Sequence, residues 1–136
     1  MTKKILAALL LSLAAACGGG GGSNPLNPVN QPEIVNATND FQFQVTGVSD
    51  GTGSFTYDWV NTGTAAKVDR TSDVSTGSVG LTLRDASGAV VFTDSATASV
   101  PWSGSATTGT GTAGSWTIQV DFSHTTGTVN FRAQGL

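Results

Sequence analysis

Gly114-Ser115-Trp116-Thr117-Ile118-Gln119-Val120-Asp121-Phe122 decides the class of this chain. Large apolar residues at 116, 118, 120 and 122 alternate with Thr117, Gln119 and Asp121. A period of two puts one set of side chains on each side of an extended backbone, so the segment reads as a strand with one buried and one wet face. The same alternation recurs outward from it. Phe41, Phe43 and Val45 enclose Gln42 and Gln44; Phe55, Tyr57 and Trp59 enclose Thr56 and Asp58. Val79, Leu81 and Leu83 enclose Gly80 and Thr82, and Val129, Phe131 and Ala133 enclose Asn130 and Arg132. Weaker strand patterns lie at residues 65–69, 89–93 and 98–102.

Turn formers separate these runs at residues 49–53, 61–63, 85–88 and 125–127. Gly tolerates positive φ there, and Asp, Asn or Ser bonds its own backbone. Residues 33–136 contain 19 Thr, 12 Ser and 13 Gly, a strand-and-turn composition without helical periodicity. The expectation is an all-β domain over 33–136: an antiparallel β-sandwich, jelly-roll-like, of about eight short strands. No disulfide supports it, because Cys17 is the single cysteine.

The chain begins with a different kind of segment. Lys3 and Lys4 precede an apolar run from residue 5 to 13, and Ala14, Ala15 and Ala16 lead to Cys17. A basic start, a short apolar stretch and small residues make a secretory signal peptide. The run is well short of the roughly 20 residues a membrane-crossing helix needs. The small residues followed by Cys17 resemble the lipobox of bacterial lipoproteins. That resemblance implies a signal peptide over 1–16, removed just before Cys17, and lipidation of Cys17 by diacylglyceryl and acyl (palmitate-type) chains. It implies a membrane partner reached through that lipid, and Gly18 after the cysteine resembles lipoproteins sorted to the outer membrane. Residues 17–32, with five glycines and then Pro25, Pro28 and Pro32, read as a flexible and partly extended tether.

Without residues 1–16 the chain has four basic and nine acidic side chains, a charge of −5. Neither a polybasic patch for anionic lipid nor an electrostatic footprint for nucleic acid is present. The second half, residues 78–88 followed by 114–122 and 127–131, resembles bacterial pre-peptidase C-terminal domains and related jelly-roll accessory modules. That resemblance implies a non-catalytic sandwich attached to secreted proteins.

Chemistry-bearing residues are sparse. His124 is the only histidine and sits beside Ser123, but adjacent residues point apart and a triad needs a third orienting group. It reads as a solvated turn residue. Zinc needs three or four ligands, which one histidine and a lipidated cysteine do not supply. Asp50, Asp58, Asp69, Asp73, Asp85 and Asp94 offer oxygens of the kind calcium takes, but no D-x-D-x-D-G loop is present, so no metal and no cofactor is expected. Trp59 and Trp116 are in phase with apolar neighbours and read as core. Trp102, after Pro101 and before the uncharged residues 103–114, is the one candidate for an exposed aromatic ligand platform. The reading is a lipid-anchored, non-enzymatic envelope module that binds an unidentified ligand or envelope protein. The alternative is a carbohydrate-binding lipoprotein that uses Trp102 to stack on a glycan.

Overall fold

A computed structural model describes residues 31–136. The signal peptide, Cys17 and all but the last two tether residues lie outside the described residues. The described chain is all-β, as the alternation requires. Its elements are β1 (Glu33–Ala37), β2 (Asp40–Asn61), β3 (Ala66–Arg84), β4 (Val90–Ala96), β5 (Ser105–Thr107) and β6 (Gly114–Gly135). Every pairing is antiparallel, in the order β1-β2-β6-β3-β4, with β5 on the other edge of β3.

Three of these strands are too long to be flat. β2, β3 and β6 run side by side and all lose register at one level: between Val45 and Gly53 in β2, and between Val74 and Ser78 in β3. Extra residues in a ladder bend a strand and increase its twist. The sheet therefore folds over on itself at this level. Ring contacts record the fold-over within β2 itself, where Phe41 lies 5.2 Å from Tyr57 and Phe43 lies 6.1 Å from Phe55. The first layer holds β1, residues 40–45 of β2, residues 129–135 of β6, residues 66–74 of β3, and β5. The second holds residues 53–61 of β2, 114–122 of β6, 78–84 of β3, and β4.

This corrects part of the sequence reading. Residues 49–53 and 125–127, expected as turns between strands, are the bends of β2 and β6. The eight short strands expected are six elements, three of which pass through both layers. The backbone at the bend has the left-handed geometry that turn formers accommodate: Asp50 has φ 50° and His124 φ 49°. Two glycines are required there by space as well. A Cβ on Gly77 would lie 2.1 Å from the His124 carbonyl oxygen, and one on Gly127 would lie 2.1 Å from that of Asp73. The other two expected turns reverse the chain between elements. At residues 85–89 the Asp85 carboxylate accepts the backbone N–H of Ser87, Ala89 and Thr112 and the Ser87 hydroxyl, at 2.7 to 2.9 Å. These bonds, the Ser87 hydroxyl foremost, lower its pKa to about 2.

Between the layers lies the alternating set: Phe41, Phe43, Val45, Val68, Val79, Leu81, Leu83, Trp116, Ile118, Val120, Val129 and Phe131 are buried. Burying each such side chain contributes about 1.5 to 3 kcal/mol. Trp59 and Trp116 meet edge to face at 5.9 Å, and their indole N–H groups donate to the carbonyls of Ala37 (3.0 Å) and Thr112 (2.8 Å).

Candidate functional site

The outward positions of the first layer line up across strands because the register is continuous there. One row runs Glu33, Gln44, Asn130, Thr71 over β1, β2, β6 and β3. The next runs Val35, Gln42, Arg132, Asp69, Ser105 and reaches β5. Two adjoining depressions lie on these rows. One, of about 280 Å³, is lined by Gln42, Asp69, Arg70, Thr71, Asn130 and Arg132. The other, of about 240 Å³, is lined by Glu33, Val35, Gln42, Gln44 and Asn130, with Ile34 and Phe43. Gln42 and Asn130 belong to both, so the two form one groove across the strands.

The charged groups along this groove are already paired. Arg132 donates from Nε and Nη2 to the two carboxylate oxygens of Asp40 at 2.8 and 3.1 Å. That bidentate contact lowers the Asp40 pKa and raises that of Arg132. The Ser105 hydroxyl donates to Asp69, with the Lys67 ammonium 3.6 Å away, and Asp69 is held below the usual carboxylate range chiefly by that hydroxyl. The Gln42 amide donates to Asp40 at 3.4 Å. Gln44, Asn130 and Thr71 make no side-chain hydrogen bond among the described residues. A bound molecule thus meets two amides and a hydroxyl with unused donors and acceptors, beside charges that are neutralised and fixed in place.

The other candidates from the sequence are placed elsewhere. Trp102 is a correction: expected as an exposed platform, it is only 3% exposed. Residues 98–102 form no strand, and the segment after β4 instead carries the indole inward, against Phe131 at 6.4 Å and 88°. Its backbone is fixed by Ser72, whose N–H donates to the Trp102 carbonyl at 3.3 Å and whose hydroxyl accepts the Trp102 N–H at 2.8 Å. No aromatic face is therefore offered to a ligand at Trp102. His124 lies exposed on the bend with Nδ1 2.9 Å from the Asp50 carboxylate, far in sequence but adjacent in space. Ser123 instead has its N–H on the Thr125 hydroxyl at 3.1 Å, and nothing there aligns a nucleophile with a base. Asp94 pairs with Arg70, and Asp85 holds its turn. Among the described residues no three His, Cys, Asp or Glu side chains gather as metal ligands. The lipidation candidate Cys17 lies outside the described residues.

The groove residues were visible in the sequence only as the wet halves of two strands. Gln42 and Gln44 are separated from Asn130 and Arg132 by more than eighty positions, and the β2–β6 register alone brings them together.

No family model and no curated protein matches the chain in sequence. Two solved structures resemble it in fold. One, described as "CBM4 structure and function", shares 10% identity over 80% of this chain and 81% of its own, with a TM-score of 0.41. The other is a glycoside hydrolase family 43 arabinoxylan arabinofuranohydrolase from Bacillus subtilis in complex with cellotetraose. It shares 17% identity over 82% of this chain and 22% of its own, with a TM-score of 0.27. At such identities and scores neither likeness bears on ligand or activity.

Proposed function

We propose that this chain is a lipid-anchored, non-enzymatic module of the bacterial cell envelope that binds a polar ligand, a glycan, in the groove of its first layer. The observation that carries the binding half is the continuous groove with unpartnered Gln44, Asn130 and Thr71 beside ion-paired Arg132 and Asp69. Buried or preorganised polar groups reject a partner that fails to satisfy them, which makes hydroxyl-rich molecules the suitable class. The non-enzymatic half is supported by what surrounds the titratable groups: the carboxylates nearest the groove are engaged by Arg132, Lys67 and Ser105, and the histidine stands on the bend, away from it.

The anchor half rests on the lipobox-like Ala14-Ala15-Ala16-Cys17 and the tether that follows. Several acyl chains hold a protein at a bilayer where one gives only reversible binding. Gly18 after the cysteine supports an outer-membrane address.

Each half has its own test. Calorimetric titration with a panel of soluble polysaccharides should show binding that the Gln42→Ala/Asn130→Ala double variant weakens by about tenfold, which equals about 1.4 kcal/mol. A flat response from the whole panel removes the binding half. Cys17→Ser should move the protein from the membrane fraction to the soluble one and abolish acyl labelling; unchanged fractionation and labelling remove the anchor half.

A further inference from the structure

We infer that the groove takes an uncharged, equatorially linked glycan chain lying across the strands, with its repeat in step with the strand spacing along Glu33, Gln44, Asn130 and Thr71. The inference rests on the binding reading above and narrows its ligand class.

Its first support is charge. Arg132 is closed bidentately on Asp40, and Asp69 is engaged by Ser105 and Lys67, so neither an anionic nor a cationic ligand finds an unpaired partner in the middle of the groove. Gln44, Asn130 and Thr71 carry both donors and acceptors and no charge, which suits hydroxyls that also both donate and accept.

Its second support is spacing. Neighbouring strands lie about 4.7 to 4.9 Å apart, so a row across β1, β2, β6 and β3 presents one polar side chain per strand at that interval. An extended peptide laid along the same row advances about 3.3 Å per residue and returns to the same face only every second residue, so its groups fall out of step with the row. A pyranose linked through equatorial bonds on opposite sides of the ring advances by close to one strand spacing per unit and stays straight. An axially linked chain coils and leaves the row after a unit or two.

Its third support is the absence of a stacking platform in the groove: the three tryptophans are buried and each depression is lined by amides, hydroxyls and charged groups with Ile34, Val35 and Phe43 at one end. Recognition by hydrogen bonds to successive units makes affinity grow with chain length.

The test is calorimetry on the folded protein with β-1,4-linked glucose and xylose oligomers from dimer to hexamer, maltotetraose, tetragalacturonate, and a mixed polar oligopeptide. The expected result is binding of the β-linked oligomers alone, at least tenfold tighter for tetramer than for dimer and flat beyond it, insensitive to salt. Gln44→Ala and Asn130→Ala should each weaken the tetramer about fivefold, and Thr82→Ala on the second layer should leave it unchanged. Equal binding of maltotetraose, tighter and salt-sensitive binding of tetragalacturonate, saturation by the peptide, or no gain with length overturns this inference while leaving a ligand in the groove. No binding by any of these, together with a flat polysaccharide panel, overturns the inference and the glycan reading together.

Discussion

The two flanks of the sandwich, where the gap between its layers meets solvent, are closed by different means. On the β2 flank the closing groups are Phe55 and Tyr57, side chains of the strand itself. Their rings are 6.3 Å apart and nearly parallel, they pack on Phe41 and Phe43, and both remain half-buried. On the opposite flank the closing groups come from three places. Arg70 of β3 reaches across the gap to Asp94 of β4 at 2.5 Å, lies 5.8 Å over the Phe92 ring, and donates to the Gly104 carbonyl at 3.3 Å. The segment between β4 and β5 then lays Trp102 into the core. A strand's own side chains stop at its edge, whereas a crossing segment covers that edge. An aromatic on an edge strand stays partly wet, and one delivered from a crossover is sealed.

Breaking the crossover flank should have the largest effect. Trp102→Ala removes a buried indole and leaves a cavity, and is expected to cost about 3 to 5 kcal/mol. Tyr57→Ala, made in parallel by urea denaturation, should cost clearly less because Tyr57 is already half-solvated. Equal losses would erase the distinction between the flanks.

The ion pair comes next. Arg70→Gln or Asp94→Asn alone is expected to cost about 1 to 3 kcal/mol, since each strands a partly buried partner. The double variant Arg70→Met/Asp94→Leu should recover part of that loss, because no charge is left without its partner. A double variant as unstable as the sum of the singles would show that the pair does more than close the flank.

A smaller and more local effect should appear on the β2 flank in alkali. Burial raises the Tyr57 pKa above 10 by disfavouring the phenolate. The neutral ring is therefore the form that the fold prefers, and its contribution is present below pH 10 and lost as pH rises through and past that value. Tyr57 is the only tyrosine, so absorbance at the phenolate band reports it directly. A midpoint at or below 10 would mean that the β2 flank is open to water.

The smallest change should come from Trp102→Phe. Trp102 Nε1 is buried without a hydrogen-bond partner, whereas Trp59 and Trp116 each donate to a backbone carbonyl. Removing an unsatisfied N–H offsets part of the lost volume, and the expected cost is within about 1 kcal/mol. Trp59→Phe and Trp116→Phe, measured in the same way, should each cost more because they leave the Ala37 and Thr112 carbonyls short of a donor.

The flanks also mark where the sequence is legible. Phe41, Phe43, Leu81, Ile118 and Phe131 were readable as core because a central strand has neighbours on both sides, and its inward face is buried whatever the topology. Tyr57 has the same alternation and is only half-buried, because its segment of β2 is the edge of the second layer. Trp102 has no alternation around it and is buried, because Ser72, Phe131 and the crossover decide its surroundings. The groove follows the same logic. Gln42, Gln44, Asn130 and Arg132 were readable as wet positions, but their meeting depends on a register that spans the chain.

By itself the sequence determined the period of two, and with it an all-β antiparallel class, the inward residues of the central strands and the places where the backbone must leave ordinary extended geometry. Whether such a place reverses the chain, as at Asp85, or bends a continuing strand, as at Asp50 and Gly127, was decided by tertiary structure. The physical reason is that alternation and turn chemistry are local. They fix which way a side chain points relative to its own strand, while layer assignment, edge position and covering segments are set by pairings such as Gln44 with Asn130 and Arg70 with Asp94. Those pairings bury or expose the same residue types, and they alone bring amides from opposite ends of the folded chain into one groove.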